Sequence, residues 1–319
     1  MTVRMILYRA GWRAALALAR PLSHLDGKTG RSLRGRLNGA AALEAWARAE
    51  RRPAAPLVWF HAASVGEGRQ GEVVLRRLRE RHPDWQLIFT YSSSSAERFA
   101  SSLPVDFAGY LPVDTRAEVS RALDAARPAA LVFSATDIWP ELTAAAASRA
   151  VRLALVSAAL APTSSGRSAP ARWLLRPAYA ALDVVGAIDS AAAAGLIELG
   201  ARERAVCITG DTRHDAAEAR ARTIDPSAPH LRALAGPGRP PVVVAGSTWP
   251  ADEEVLIPAW ATVRADGPAS RLIIAPHEPT ERHLQRTEQQ CRKALHSAAI
   301  VRLSALEAAP TAAPDWDVC

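Results

Sequence analysis

Short apolar runs alternate with stretches rich in Ala, Arg and Leu from residue 56 onward. The runs have the length of buried strands, and the stretches between them have the length of helices. This alternation predicts parallel sheets built from βαβ units. The predicted strands cover residues 56–60, 86–91, 130–134, 151–157, 183–188, 205–209, 241–246, 271–276 and 298–303.

A polar, proline-rich stretch at residues 216–240 separates the first six predicted strands from the last three. We therefore predict an α/β protein with two Rossmann-like, doubly wound domains that face a cleft. The predicted divisions are an N-terminal helical segment at 1–36, a first domain at 37–215 and a second domain at 216–319. Because the last residues, Trp316 to Cys319, read as the opening of another strand, we expect the second domain to be incomplete and the sequence to be truncated.

The N-terminal segment, residues 3–20, combines apolar residues with spaced arginines. The arginines interrupt it too often for a transmembrane helix, and it lacks the apolar core of a signal peptide. The pattern favours an amphipathic helix on an anionic membrane surface. Docking of the same helix on the protein's own core is the alternative.

The formal net charge of the chain is +7, and all but two of its 39 basic residues are arginine. Such a charge permits an anionic partner but does not identify one. The sequence shows none of the motifs of nucleic-acid-binding modules, so we expect no nucleic-acid partner. The three cysteines are widely spaced, which predicts neither a metal site nor a disulfide framework.

Polar motifs follow six of the predicted strands, and ligands of open parallel sheets bind beyond the carboxyl ends of strands. This distribution predicts a ligand site between the two domains. Phosphate-loop, dinucleotide-binding and metalloprotease motifs are all missing. The six motifs are HAASVGEG (61–68), TYSSSS (90–95), SATDIWPE (134–141), GDTRHD (210–215), GSTWPADEE (246–254) and APHEPTER (275–282).

Each of these motifs also has a purely structural interpretation. Glu67 is either a general base at a strand-to-helix turn or an acid that stabilises the first turn of a helix. Ser247 and Thr248 either cap a helix or hold a phosphate. A lone loop histidine such as His277 is weak evidence for a ligand contact, and a helix start there is the simpler interpretation.

The same choice applies to the two remaining acidic motifs. We expect Trp139 to lie in the core, whereas Asp137 has the position of a residue that faces the cleft. An ion pair between Asp211 and Arg213 that braces the domain crossover is the simpler interpretation of the GDTRHD motif.

In this order, several of these pieces resemble the 3-deoxy-D-manno-octulosonic acid (Kdo) transferases of lipopolysaccharide synthesis. The resemblance extends over essentially the whole chain, and the combination of HAASVGE, DIWP, GDTR and GSTW is specific. The matching pieces are ILYRAGWRAALALARPL, WFHAASVGEG, LPVDT, DIWPEL, ITGDTRHD, VAGSTWPADEE and IIAPHEP.

The resemblance implies a GT-B glycosyltransferase that transfers Kdo from CMP-Kdo to a lipid A precursor with inversion, without a metal or other cofactor. It also implies a place on the cytoplasmic face of the inner membrane, peripheral or anchored by the N-terminus. Glu67 is the implied general base. The implied acceptor-side residues are Ser64, Gly66 and Asp137, and those on the donor side are Ser247, Thr248, His277 and Arg213.

The sequence departs from the family at three places. Many members have Glu-Thr-Glu-x-Trp-Pro where this chain has Ala135 and Asp137 in place of the two acids, and APHEP replaces a Pro-Arg-His loop. Nothing matches the family's Gly-Gly-His-Asn…Glu-Pro segment, so we expect little transferase activity if the 319 residues are the whole protein.

Two other functions remain open from the sequence. One is a GT-B enzyme that uses a UDP-sugar, similar to lipid A disaccharide synthase. The other is a non-catalytic protein that rests on the membrane and binds the acceptor. A preference for UDP over CMP would favour the first, and acceptor binding without turnover would favour the second.

Overall fold

The computed structural model describes residues 2–160, 168–228, 231, 234, 240–267, 270–295, 297–308 and 316–319. These residues fall into two units, Met1–Arg222 and Thr223–Cys319.

Seven parallel strands form the sheet of the first unit, in the order β3-β2-β1-β4-β5-β6-β7. The winding direction reverses between β1 and β4, which lie side by side, and this reversal opens a crevice at their carboxyl ends. The strands are β1 Leu57–Ala62, β2 Gln86–Tyr91, β3 Phe107–Tyr110, β4 Ala130–Ser134, β5 Arg152–Ala158, β6 Val184–Ala187 and β7 Val206–Ile208.

Helices cover both faces of this sheet, as expected when every strand is buried on two sides. Leu57 and Trp59 of β1 face the core that α2, α5, α6, α7 and α8 complete, whereas Val58 and Phe60 face the core with α3 and α4. The helices of this unit are α1 Val3–Leu22, α2 Lys28–Glu50, α3 Val65–Arg81, α4 Glu97–Ala100, α5 Arg116–Ala126, α6 Pro140–Ala147, α7 Ala169–Ala181, α8 Ser190–Leu199 and α9 Thr212–Thr223.

The N-terminal segment contains two helices, since the chain turns between α1 and α2. Gly27, which immediately precedes α2, has a φ of 100°, a left-handed conformation that glycine adopts without strain. α2 then runs across the predicted division at residue 36. Among the described residues, the structure contains no helix with the length and apolar character needed to span a membrane.

The second unit holds a pair of parallel strands, β8 Val242–Thr248 and β9 Arg271–Pro276. Its helices include α10 Pro250–Asp266, α11 Glu281–Ala294 and α12 Leu303–Ala308. Its core gathers Ile257, Trp260, Leu272, Cys291 and Val318.

The α/β fold with parallel sheets is confirmed, but two strand assignments are not. The predicted strand at 298–303 is wrong, because among the described residues only Ile300 pairs there, in an isolated bridge with Val318. β3 was not predicted from the sequence. Its residues are half-buried or exposed, so it lacks the apolar run that marks the other strands of the sheet.

Candidate functional site

The first helix turn after β1 carries Glu67 at the crevice between β1 and β4. Ser64 is the N-cap of α3, and its backbone N–H donates to Glu67 Oε2 at 3.1 Å. The carboxylate therefore satisfies a free N–H of the helix start, as in a capping box. Gly66 is exposed, and a side chain added there would meet only Ser64 Oγ, at 3.9 Å. The mouth of the helix is thus open to a ligand.

A buried histidine and a carboxylate meet beside this turn. His61, near the end of β1, is fully buried, and its Nε2 lies 2.9 Å from Asp137 Oδ2. Its Nδ1 lies 3.0 Å from the carbonyl oxygen of Thr90 in β2. The indole N–H of Trp139 donates to the same Asp137 oxygen at 3.0 Å. These contacts fix the side chain of Asp137 at the carboxyl end of β4.

The two carboxylates of the crevice have opposite pKa shifts. Burial raises the pKa of Glu67, and the negative charge of Asp137 raises it further, although backbone N–H donors lower it. Burial also raises the pKa of Asp137, but hydrogen bonds from His61 and Trp139 and the nearby charges outweigh it, so the net shift is downward. Glu67 is therefore the better proton acceptor of the pair, and Asp137 stays ionised.

An arginine from α2 lies on the aromatic side of this cluster. The guanidinium of Arg36 stands 4.2 Å from the ring centre of Trp139 and 5.6 Å from that of Trp12 in α1. Its Nε is buried without a hydrogen-bond partner among the described residues. Burial lowers the pKa of Arg36, and the charges of Asp114 and Asp137 partly restore it. The stack is a cation–π arrangement that joins α1 to the crevice.

Asp114 connects α1 to the start of α6. Its carboxylate accepts the hydroxyl of Tyr8 at 2.6 Å and the backbone N–H groups of Glu141 and Leu142 at 2.9 and 2.8 Å. It thereby caps α6, the helix that directly follows the Asp137–Trp139 segment. Burial raises the pKa of Asp114 to about 6, against the effect of these hydrogen bonds. Next to it, the guanidinium of Arg9 donates two hydrogen bonds to the buried carboxylate of Glu141, from Nη2 at 2.7 Å and from Nε at 2.8 Å.

The second unit has its own polar cluster, at the carboxyl ends of β8 and β9. Ser247 has a left-handed φ of 61°, and its hydroxyl lies 2.7 Å from His277 Nδ1. The imidazole of His277 stacks on the half-exposed indole of Trp249. A strained serine backbone at a strand end is typical of ligand sites.

Beneath this cluster, a buried carboxylate orders three side chains. Glu253 is fully buried and accepts the hydroxyl groups of Thr248 and Thr287 at 2.8 and 2.7 Å. His283 Nε2 lies 3.0 Å from the same carboxylate. The hydroxyl of Thr248 is thus engaged inside the unit, whereas Ser247 and His277 are exposed.

The structure brings the implied general base, Glu67, and the three implied acceptor-side residues, Ser64, Gly66 and Asp137, to one crevice. Ser247, Thr248 and His277 share a strand end in the second unit. Arg213 lies in the first unit on α9, where Asp211 holds its Nε at 2.8 Å. The ion pair expected from the simpler interpretation of the GDTRHD motif is present as a local contact within the first unit. Among the residues the structure describes, no three His, Cys, Asp or Glu side chains converge as metal ligands.

Sequence reasoning missed three residues of the crevice: His61, Arg36 and Asp114. His61 lies inside β1, between Phe60 and Ala62, and was noted only as the first residue of the HAASVGEG motif. Trp139 does pack against the core, but its indole also contacts Asp137 and Arg36. A polar residue within each otherwise apolar segment was the available signal for His61 and Asp114.

The sequence of this chain is similar to those of known proteins. Residues 35–216 match the family model described as 3-deoxy-D-manno-octulosonic-acid transferase (kdotransferase). The 3-deoxy-D-manno-octulosonic acid transferase of Bordetella pertussis is 31% identical over 73% of this chain and 55% of its own length. The enzyme of that name from Haemophilus influenzae is 25% identical over 70% of this chain and 52% of its own length. The chain thus spans about half the length of these curated relatives.

Solved structures with the same fold are more distant in sequence. The UDP-GlcNAc 2-epimerase of Neisseria meningitidis bound to UDP-GlcNAc has a TM-score of 0.56 at 12% identity, over 76% of this chain and 69% of its own. That of Methanocaldococcus jannaschii has a TM-score of 0.54 at 15% identity, over 79% and 76%. At this identity the likeness concerns the fold alone.

Proposed function

Since the chain belongs to the 3-deoxy-D-manno-octulosonic acid transferase family, we propose that the protein transfers Kdo from CMP-Kdo to a lipid A precursor, with Glu67 as the general base. The observation that carries this proposal is the position of Glu67. Its carboxylate lies on an open helix mouth at the switch point of the sheet, and burial and Asp137 raise its pKa. In such a crevice a carboxylate has both access to a ligand and the basicity to accept a proton.

The proposed reaction is a direct displacement. Glu67 takes the proton of an acceptor hydroxyl as its oxygen bonds to the anomeric carbon of Kdo. The bond from that carbon to the phosphate oxygen breaks, and CMP leaves with the electron pair. The acceptor oxygen attacks the face opposite the leaving phosphate, so the single displacement inverts the anomeric centre. No covalent bond to the protein forms.

Asp137 and its neighbours have a supporting role in this proposal. The ionised Asp137 accepts a second hydroxyl of the acceptor, while His61 and Trp139 hold it in place. Asp137 stands where many family members have Glu, and its shorter side chain reduces the reach of the carboxylate. The hydrogen bonds that fix Asp137 offset this loss, because they hold it in one orientation.

We assign the donor to the second unit. Ser247, with its left-handed backbone and exposed hydroxyl, and the stacked pair His277 and Trp249 offer polar and aromatic contacts to a nucleotide. The hydroxyl of Thr248 donates to the buried Glu253, and this hydrogen bond orders the turn between β8 and α10. Arg213 is already engaged by Asp211, so its donor role would require this pair to open.

We further propose peripheral attachment of the protein to the cytoplasmic face of the inner membrane through α1. Val3, Ile6 and Leu7 of this helix are 67%, 46% and 58% exposed. Exposed apolar side chains beside arginines suit the boundary between lipid chains and anionic headgroups.

The pH profile tests the acid–base assignment. The rate falls as pH falls through the pKa of the base, so kcat/KM is expected to show an acidic limb above the ordinary glutamate value of 4.5. Asp137→Asn removes the like charge and is expected to move this limb to lower pH. Asp124→Asn, on the exposed surface of α5, is the matched control and leaves the limb in place. A limb that Asp137→Asn leaves unmoved contradicts the electrostatic coupling of the two carboxylates.

Nucleotide binding tests the donor side. Ser247→Ala and His277→Ala are each expected to weaken CMP binding about tenfold or more, because hydrogen bonds to charged groups contribute about 1.5–3 kcal/mol. Lys293→Gln, at the far end of α11, is the control for a lost charge in the same unit. Calorimetric titrations with CMP and with UDP on each variant provide the measurement. Tighter binding of UDP would replace CMP-Kdo by a UDP-sugar as the donor.

A further inference from the structure

Two grooves border α1, and Trp12 lines both. The first, the apolar groove, has a volume of about 460 Å³ and lies between Leu7, Trp12 and Ala15 of α1 and Pro170, Trp173 and Leu174 at α7. The second, the arginine groove, has a volume of about 510 Å³ and lies between α1 and the start of α5. Its lining includes Arg9, Arg13, Thr115, Arg116 and Ser120.

The arginine groove carries uncompensated positive charge. Arg13 and Arg116 are exposed, and neither has an ion pair or hydrogen bond within the part of the chain that the structure describes. Arg9 is different, because Glu141 balances its charge. The carboxylate that lines this groove, Asp114, is buried and committed to Tyr8 and to the start of α6. The groove therefore favours an anion.

The apolar groove continues onto an exposed apolar surface. Leu7 belongs to both, and Trp173 is 44% exposed at its far wall. Arg4 lies beside Trp173: its guanidinium donates to the Trp173 carbonyl at 3.2 Å and stands 5.4 Å from the indole centre. A groove of this kind accepts an alkyl chain and leaves the cation beside it in water.

We propose that the two grooves together hold one anionic phospholipid of the membrane surface. Its phosphate lies between Arg13 and Arg116, and part of one acyl chain lies along Trp12 and Trp173. Charge complementarity selects the phosphate, and the shared Trp12 places the two subsites one side chain apart. A lipid can fill both subsites while it remains in the bilayer, because the outer side of α1 is itself apolar.

This proposal rests on the membrane contact of α1 proposed above and is independent of the transfer reaction. A bound lipid would also fix α1 against the crevice, because Tyr8 and Trp12, which line the apolar groove, contact Asp114 and Trp139. The proposed lipid site is therefore connected to the acceptor side of the crevice through the side chains of α1.

The test is sedimentation of the full chain with phosphatidylcholine vesicles, with and without phosphatidylglycerol. The vesicles contain no glycolipid, so the acceptor is not present. The double variant Arg13→Gln/Arg116→Gln is expected to bind the anionic vesicles roughly 10-fold or more weakly than the wild type. Arg77→Gln/Arg81→Gln, on α3, is the control with the same loss of charge and is expected to bind within about twofold. Ala15→Trp fills the apolar groove and is expected to weaken binding without any change of charge.

Three results would overturn the proposal. Equal binding of the groove variant and the α3 control shows a diffuse electrostatic effect. Equal binding with and without phosphatidylglycerol shows that the net negative charge of the headgroup is not recognised, since both lipids carry a phosphate. No binding by the wild type removes the membrane contact itself. The same variants are expected to transfer Kdo at the wild-type rate in detergent. A wild type without turnover would contradict the transferase proposal and would leave the lipid-binding result unaffected.

Discussion

Replacement of Glu67 by Gln is expected to lower the transfer rate by about 10²–10⁴-fold, the usual contribution of a general base. The amide has the shape of the carboxylate but does not accept the proton of the acceptor hydroxyl. Gln is also accepted at this position of a capping box, so the bond from the Ser64 N–H to the side-chain oxygen is retained. The variant therefore separates catalysis from capping. Initial rates with CMP-Kdo and a lipid A precursor, together with urea unfolding of the same variant, provide the measurement.

Two further variants complete this experiment. Glu67→Ala removes both the base and the cap and is expected to lower the free energy of unfolding by about 1 kcal/mol. Glu80→Gln, on the exposed surface of the same helix, is the control and keeps the wild-type rate. A Glu67→Gln variant that transfers Kdo at the wild-type rate would reduce Glu67 to a helix cap. Acceptor binding by a wild type that shows no turnover would instead favour the non-catalytic alternative.

The sequence predicts the strands well where their side chains are buried on both faces. β1, β2 and β4 are continuous apolar runs because helices cover both sides of the sheet. β3 and the 298–303 segment show the limits of the pattern. β3 lies at the sheet edge with half-exposed residues, whereas the apolar 298–303 segment pairs, within the described part of the chain, only at Ile300. Apolar character alone does not report whether a partner strand is present.

The candidate site likewise contains residues that the sequence predicts and residues that it does not. Glu67 and Asp137 were predicted, because polar residues at the carboxyl ends of strands stand out from the apolar runs. The bond from His61 to Asp137 joins residues 76 positions apart, and no local pattern encodes it. Arg36 reaches the cluster from α2, which contributes no strand-end motif. Tertiary packing alone creates these contacts.

Asp114 is a residue on which the assembly of this site depends, and Asp114→Ala is expected to destabilise the first unit by about 3–5 kcal/mol near pH 5. The change leaves the Tyr8 hydroxyl and the N–H groups of Glu141 and Leu142 without their acceptor, at about 1–3 kcal/mol for each buried group. Tyr8→Phe removes one of the three donors, keeps the cap of α6 and is expected to cost about 1 kcal/mol. Urea unfolding followed by tryptophan fluorescence measures both.

The cost of Asp114→Ala is also expected to depend on pH, with a definite sign. Burial raises the pKa of Asp114 from 3.8 to about 6, so the folded state binds more protons than the unfolded chain between these values. The stability that Asp114 contributes is therefore complete below about pH 4 and is lost as pH rises through about 6, by roughly 2–3 kcal/mol. The difference between wild type and Asp114→Ala should shrink accordingly from pH 4 to pH 7.

Tyr8→Phe distinguishes this origin from a general response to acid. The variant keeps Asp114 buried but loses a hydrogen bond that lowers its pKa, so its stability should fall with rising pH at least as much as that of the wild type. A wild-type difference from Asp114→Ala that is flat or grows from pH 4 to pH 7 would mean that the carboxylate is ionised in the folded state throughout this range. In that case the hydrogen bonds from Tyr8 and α6, together with Arg36, outweigh burial. Asp114 would then join α1 to the crevice as a permanent charge, because its proton would never be bound in the folded protein.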